Sequence, residues 1–289
     1  MTTLPIQFSP HRSSFFANVL TIAHRELRDA VKSRWFVLYS LAFAALGLGV
    51  SYLSAASGGS GGVSGFGRTS AGLINLVILV VPLMAMTAGA ATIASDRERG
   101  MLAYLLAQPV SRLEVLLGKH LGLSGSIIAS VSLGFGVCAA VLAAKGGMAD
   151  ARLFIALVLL SFALALGMLS LGLLISVLAH KGSVATGTAV FVWLTLVFVS
   201  DLGMMASTLA WRVRVEKLFA FSLLNPCQVF KMWCLYSVDA SLDVLGPAGV
   251  YATDTFGARL PLIFAGAMAA WIILPLALAA LIFSRRSPV

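Results

Sequence analysis

The feature that most limits this chain is a succession of apolar runs, each close to the length that crosses a bilayer and nearly free of charge. A hydrocarbon core takes roughly 20 residues of α-helix. In lipid every backbone N–H and C=O must find a partner inside the protein, so such a run reads as a helix rather than an open strand. Runs of this kind cover residues 35–56, 71–94, 121–144, 153–179, 184–200 and 260–283. They predict an all-α integral membrane protein with about six transmembrane helices. Charge agrees: 11% of residues are charged and mean hydropathy is +0.98, where a soluble domain carries roughly 25% charged residues.

The segments between the runs set the organisation. Residues 1–34 are polar and basic, and residues 35–289 read as one transmembrane domain. A cleavable signal peptide is not expected, because its apolar core would lie much earlier. Within the first segment Phe16, Leu20, Ala23, Leu27 and Val31 recur at helical spacing, while Arg25, Arg28, Asp29 and Lys32 fall elsewhere on the wheel. That pattern predicts an amphipathic helix lying on the membrane surface. The Gly/Ser-rich stretch 57–67 reads as a flexible loop. In the long segment 201–259 the apolar pieces 219–224 and 229–235 are too short to cross, with a turn at Asn225-Pro226 between them. Two short interfacial or re-entrant helices are expected there.

Orientation follows the Lys/Arg bias. Arg12, Arg25, Arg28, Lys32, Arg34, Arg97, Arg99, Arg112, Lys119, Lys181, Arg285 and Arg286 fall on one side. The other side holds fewer, and most of those lie in segment 201–259. Both termini are therefore expected in the cytoplasm. The formal charge of +9 points to anionic lipid headgroups rather than nucleic acid, because the cations flank apolar spans.

Catalytic patterns are missing. The sequence contains neither HExxH nor a Walker-type phosphate loop, nor a Gly-x-Ser-x-Gly elbow between strand and helix. The chain is expected to be no enzyme and to bind no cofactor or metal itself. Ionisable residues inside the spans, the usual mark of a gradient-driven carrier, are nearly lacking: Asp201 and Arg152 sit at span edges as interfacial charges. Met84, Met86, Met204 and Met205 could serve Cu(I), but read as filler without Cys or His nearby. Cys138 reads as a small core residue. Cys227 and Cys234 on one helix would stand about 10 Å apart, beyond disulfide reach. Gly118-x-x-x-Gly122 and Ala163-x-x-x-Gly167 predict close helix packing, within the chain or in a dimer.

The informative stretch is 95–119. Ser95 to Glu98 matches a capping box. A helix over 96–107 would then carry Leu102, Leu105 and Leu106 as an apolar stripe. Pro109 ends it, and Ser111 to Glu114 forms a second capping box that starts the next helix. The result is a short, stiff helix at the membrane surface whose stripe needs lipid or a protein groove.

This stretch resembles the coupling helix of the membrane subunits of type-2 ABC transporters. Asp96, Arg97, Glu98, Arg99, Gly100, Leu102, Leu105, Leu106, Pro109, Val110, Ser111, Arg112, Glu114, Gly118 and Lys119 match the family pattern in order and spacing. Met101 stands where the family often has Thr. Arg25-Glu26-Leu27, with Ser33-Arg34-Trp35-Phe36, resembles the family's interfacial helix, and Asn225-Pro226 its turn before the last span. Within the family the chain is most similar to permeases associated with copper-site assembly of nitrous oxide reductase. The resemblance implies a bacterial inner-membrane homodimer with a separate cytoplasmic ATPase dimer, which binds ATP and Mg. It also implies a periplasmic β-helical copper-handling partner. ATPase coupling is expected at Asp96, Arg97, Glu98, Arg99, Gly100, Leu102, Leu105, Leu106, Pro109 and Arg112, with charges docking the rims of the ATPase groove and leucines filling its floor. Alternatives are an exporter of a lipid, drug or other small molecule, a mechanical signalling scaffold, or a gradient-driven carrier.

Overall fold

Long apolar stretches with few β-breaking or turn residues close their backbone hydrogen bonds locally, and the chain folds accordingly. The computed structural model describes residues 14–56, 62–144, 151–199, 215–237 and 247–285, and every regular element among them is helical. In chain order these are α1 (Phe15–Lys32), α2 (Arg34–Ala56), α3 (Gly62–Glu98), α4 (Met101–Leu106), α5 (Arg112–Ala144), α6 (Ala151–Leu178) and α7 (Gly182–Leu194). A π-helical turn, Thr195–Val199, continues α7. Then come α8 (Val215–Leu223), α9 (Pro226–Ser237), α10 (Pro247–Phe256), a 3₁₀ turn (Gly257–Arg259) and α11 (Leu260–Arg285).

Four stretches are long and apolar enough to cross a membrane alone: Gly72–Glu98, Arg112–Val141, Ala151–Leu178 and Tyr251–Arg285. The bent pairs α1–α2 and α8–α9 raise the count to 6 if each is one span. The chain is a multi-pass, all-helical membrane protein. The six runs read from sequence fall on α2, α3, α5, α6, α7 and α11, of which α7 with its π turn is shorter than a full span. Residues 1–13 and 57–61, together with Asp201, Met204 and Met205, lie outside the described residues.

Two boundaries differ from expectation. Residues 62–67, read as loop, are the first turns of α3. Extending an existing helix costs about 1 kcal/mol per glycine and needs no new nucleus, so the apolar stretch behind can carry them. At its other end α3 continues through Glu98. Ser95–Glu98 therefore closes a helix instead of opening one.

The centre of the bundle is α3 against α6. A Cβ on Gly172 would lie 2.5 Å from Met86 O, and one on Gly89 would lie 2.8 Å from Leu169 O. The two backbones touch, as small residues permit in lipid. Ser176 Oγ accepts from both Ile93 N–H and Ala94 N–H at 2.9 Å. Gly167, the second residue of the small pair in α6, faces Trp271 of α11. On the other flank α2 packs on α5, where Phe43, Phe135 and Phe154 meet edge-on with centroids 5.3 and 5.6 Å apart.

The Gly118/Gly122 pair has a different neighbour. Cβ atoms at these positions would meet Ile22 Cβ at 2.7 Å and Glu26 Cβ at 2.6 Å. The glycines form the groove in which α1 crosses α5, a contact within one chain. Where two short helices are expected in segment 201–259, α8 and α9 form a pair bent by 109°. Asn225 sets that corner. Its Oδ1 accepts from Cys227 N–H at 2.9 Å, capping α9, while its Nδ2 donates to Leu196 O in the π turn at 2.6 Å. Cys227 and Cys234 are buried on α9 and Cys138 on α5, none of them in a disulfide.

Candidate coupling site

The stretch 95–119 joins α3 to α5 through α4, and each of its stops has a local cause. Arg99 N–H donates to Ser95 O at 3.0 Å and Gly100 N–H to Arg97 O at 3.1 Å, ending α3. Gly100 then takes φ +73°, with no atom within 4 Å of a built Cβ, so its requirement is conformational rather than steric. This left-handed step is what glycine supplies at a helix stop. The intervening helix α4 spans only Met101–Leu106, shorter than the 96–107 read from sequence. Pro109 lies in the turn that follows. At the start of α5 the second capping box is complete: Ser111 N–H donates to Glu114 Oε2 at 2.7 Å, and Glu114 N–H to Ser111 Oγ at 3.2 Å.

Three of the motif's charges, Arg97, Glu98 and Arg112, reach the ends of other helices. Arg97 Nη1 donates to Ala179 O at 2.5 Å and Val177 O at 3.5 Å, satisfying carbonyls at the C-terminus of α6. Glu98 Oε2 accepts from Gly182 N–H at 2.9 Å, at the N-terminus of α7. Lys181, the α7 N-cap, makes no side-chain cap bond, so Glu98 does that work from another helix. Arg112 Nη1 donates to Phe283 O at 3.0 Å and Ser284 O at 3.3 Å, at the C-terminus of α11. Each sign suits the helix end it meets, because α-helices carry partial positive charge at the N-terminus and negative charge at the C-terminus.

Asp96 faces α5. Its Oδ2 lies 2.7 Å from Lys119 Nζ, which also lies 3.1 Å from Glu26 Oε2 of α1. The Lys119 side chain is 4% exposed. A buried cation held by two carboxylates ties α1, α3 and α5 at one point. One residue further on, His120 Nε2 lies 3.1 Å from Ser170 Oγ of α6.

The leucines divide. Leu102 is 1% exposed and sits in a cluster with Ile93, Leu116, Leu173, Val177, Ala279 and Phe283. Leu106 packs partly buried on that cluster, and Leu105 is half-buried. Leu102 therefore anchors α4 to the bundle instead of filling a partner's groove. Within the chain, Arg97, Glu98 and Arg112 bond to helix ends and Asp96 to Lys119, while Glu98 keeps an exposed side. The outward face is Arg99, Met101, Tyr104, Gln108 and Pro109, with Tyr104 65% exposed. Tyr104 was not singled out in the sequence, although it stands two residues from Leu102 and so on the opposite side of the short helix.

No group of three His, Cys, Asp or Glu that could hold a metal ion occurs among the described residues. A cavity of about 160 Å³, lined by Asn75, Ile78, Cys227, Gln228 and Lys231 among others, lies roughly 35 Å from the α4 turn along α3.

Comparison with known proteins fits this geometry. The chain is 38% identical over 122 residues to the "Probable ABC transporter permease protein NosY" of Stutzerimonas stutzeri, covering 42% of this chain and 44% of that protein. It is 39% identical over 122 residues to the protein of the same description from Pseudomonas aeruginosa, with the same coverage. The matched stretch thus spans under half the length of these relatives. The family model for ABC-2 family transporter proteins matches residues 20–287, and the chain belongs to that family.

Proposed function

We propose that this chain is the membrane-spanning subunit of an ATP-driven transporter in a bacterial inner membrane, working as a homodimer with a cytoplasmic ATPase dimer. Both termini and the α4 turn face the cytoplasm. ATP and Mg belong to the ATPase. Family membership supports the permease role. The likeness to probable NosY permeases supports the finer reading, a role in copper-site maturation of nitrous oxide reductase with a periplasmic β-helical partner.

One observation carries the coupling mechanism: an outward apolar face, Met101 and Tyr104, stands on a turn whose charges clamp three helix ends and Lys119. ATPase closure pushes on Tyr104 and Met101. Leu102 and Leu106 hold α4 to the bundle, so the turn moves without peeling away. Arg97 and Glu98 carry the motion to α6 and α7, Arg112 to α11, and Asp96 through Lys119 to α5 and α1.

The test is Met101→Glu/Tyr104→Glu, which places charge on the docking face and leaves every clamp residue intact. The double variant is expected to insert and melt like the parent while losing ATPase association and chain-dependent stimulation of hydrolysis. Tyr104→Phe is expected to retain both. Parental association and stimulation in the double variant overturn the docking assignment.

A further inference from the structure

The helix α1 divides its surface three ways. Val19, Ala23 and Glu26 face α5, where Gly118 and Gly122 let the two backbones approach. Next to that face Phe16 and Leu20 stand 75% and 64% exposed, with Val31 further along. A third face carries Arg25, Arg28 and Lys32, all exposed and spaced three and four residues apart, so they lie together. Asp29 is the acid among them, and its 3.8 Å approach to Arg25 is long and open to solvent, which makes it a weak partner.

Orientation gives this division meaning. The axis of α1 is bent 61° from that of α2. Taking α2, which carries the apolar run 35–56, as the crossing part of the bent pair, α1 leans toward the membrane plane. Its exposed apolar edge then reaches acyl chains, and its cations lie at headgroup depth. A basic, half-apolar surface of this kind fits an acidic phospholipid.

What lies behind α1 is the second observation. Glu26 binds Lys119, which binds Asp96, four residues before the Gly100 stop. Asn18 Nδ2 donates to Glu114 Oε2 at 3.3 Å, the same carboxylate that closes the α5 capping box. Thus α1 grips the coupling turn on both sides, at Asp96 before α4 and at Glu114 after it. These grips are spaced two turns apart along α1, so a roll or tilt of the helix shifts both flanks of α4 together.

We infer that α1 is an acidic-lipid-binding lever: headgroups on Arg25, Arg28 and Lys32 set its seating, and the Glu26–Lys119–Asp96 and Asn18–Glu114 links pass that seating to the coupling turn. The regulatory half rests on the coupling reading above; the lipid site does not.

Two measurements separate them. The full chain alone, in phosphatidylcholine vesicles with trace spin-labelled phosphatidylglycerol or phosphatidylcholine, reports headgroup selection by EPR. Parental chain is expected to select phosphatidylglycerol. Selection should fall by roughly fivefold per cation in Arg25→Gln/Arg28→Gln/Lys32→Gln. The complex with its ATPase, in nanodiscs of phosphatidylcholine with or without phosphatidylglycerol, reports regulation. Parental hydrolysis is expected to change with the acidic lipid. The triple variant should keep its neutral-lipid activity and lose the response. Glu26→Gln should keep lipid selection and lose the response, because only the link to Lys119 is weakened. Absence of headgroup selection, or unchanged selection in the triple variant, overturns the lipid site. Selection without any hydrolytic response, or a full response in Glu26→Gln, overturns the lever while leaving the site.

Discussion

Replacing Glu98 with alanine isolates one clamp of the coupling turn. Glu98 Oε2 accepts the Gly182 amide at 2.9 Å, and Lys181 supplies no cap of its own. Loss of an N-cap acceptor costs about 1 kcal/mol. The carboxylate charge at a helix N-terminus adds roughly 0.3–1 kcal/mol. Glu98 is exposed on its other side, and solvent screening keeps the charge part at the low end. The clamp is therefore worth about 1–2 kcal/mol, and its loss should raise the population in which the start of α7 has detached by about 5–30-fold.

Hydrogen exchange at the Gly182 amide reads that population directly. In Glu98→Ala its exchange should speed up by about 5–30-fold, while amides in the middle of α5 keep their parental rates. Glu98→Gln keeps a neutral acceptor in place and loses the charge part alone, so exchange should rise about twofold. The ordering Ala, then Gln, then parent is the signature of a cap rather than of general destabilisation. Parental exchange at Gly182 in Glu98→Ala refutes the clamp, and faster exchange throughout the bundle refutes its locality.

Two other positions test the frame that the clamps act on. Gly172→Val puts a methyl-bearing carbon where Met86 O already stands 2.5 Å from a Cβ, so α3 and α6 must separate; thermal unfolding in detergent should show about 1–3 kcal/mol of destabilisation or more, while Gly187→Ala, with nothing within 4 Å, should change stability by less than about 0.5 kcal/mol. Asn225→Ala removes both the cap on Cys227 N–H and the bond to Leu196 O, so protease nicking at the α8–α9 corner should increase by an amount matching roughly 1–3 kcal/mol, and Asn225→Asp, which keeps the cap acceptor and loses the donor, should fall between.

What could be read from the sequence divides by range. The long apolar runs, the Asn225-Pro226 corner and the Ser111–Glu114 box are local patterns, and the structure contains each of them. Ser95–Glu98 shows the limit of such patterns. A Ser-x-x-Glu spacing caps only where a helix begins, and these four residues already belong to α3. The operative signal was Gly100, five residues on. The partners of Arg97, Glu98 and Arg112 lie 80 or more residues away in sequence, beyond any spacing rule. One clue was present: the α6–α7 connection is too short to cap both of its helix ends, so those ends need groups from elsewhere. The glycine pair 118/122 correctly announced a close approach, but its partner is α1, which carries Ala23 and the Cβ of Glu26 at the crossing.

The inward use of the charges follows from the size of α4. Six residues rise about 9 Å, and an isolated helix shorter than roughly 12 residues is marginal in water. Pushed on its own, α4 would melt rather than transmit. Its stiffness must come from what fixes its ends and its inner face: the Gly100 step, Leu102 in the cluster below, and the Ser111–Glu114 box beyond Pro109. Charges facing a partner across water would add about 0–1 kcal/mol each and restrain nothing within the chain. The same charges set on helix ends restrain three helices at once. Arg97 and Glu98 are adjacent, about 100° apart on the helix wheel, and the short α6–α7 turn presents a negative helix end beside a positive one. A cation next to an anion is the arrangement that grips both. Under the proposed coupling, a displacement of α4 would reach α6, α7 and α11 through bonds already formed.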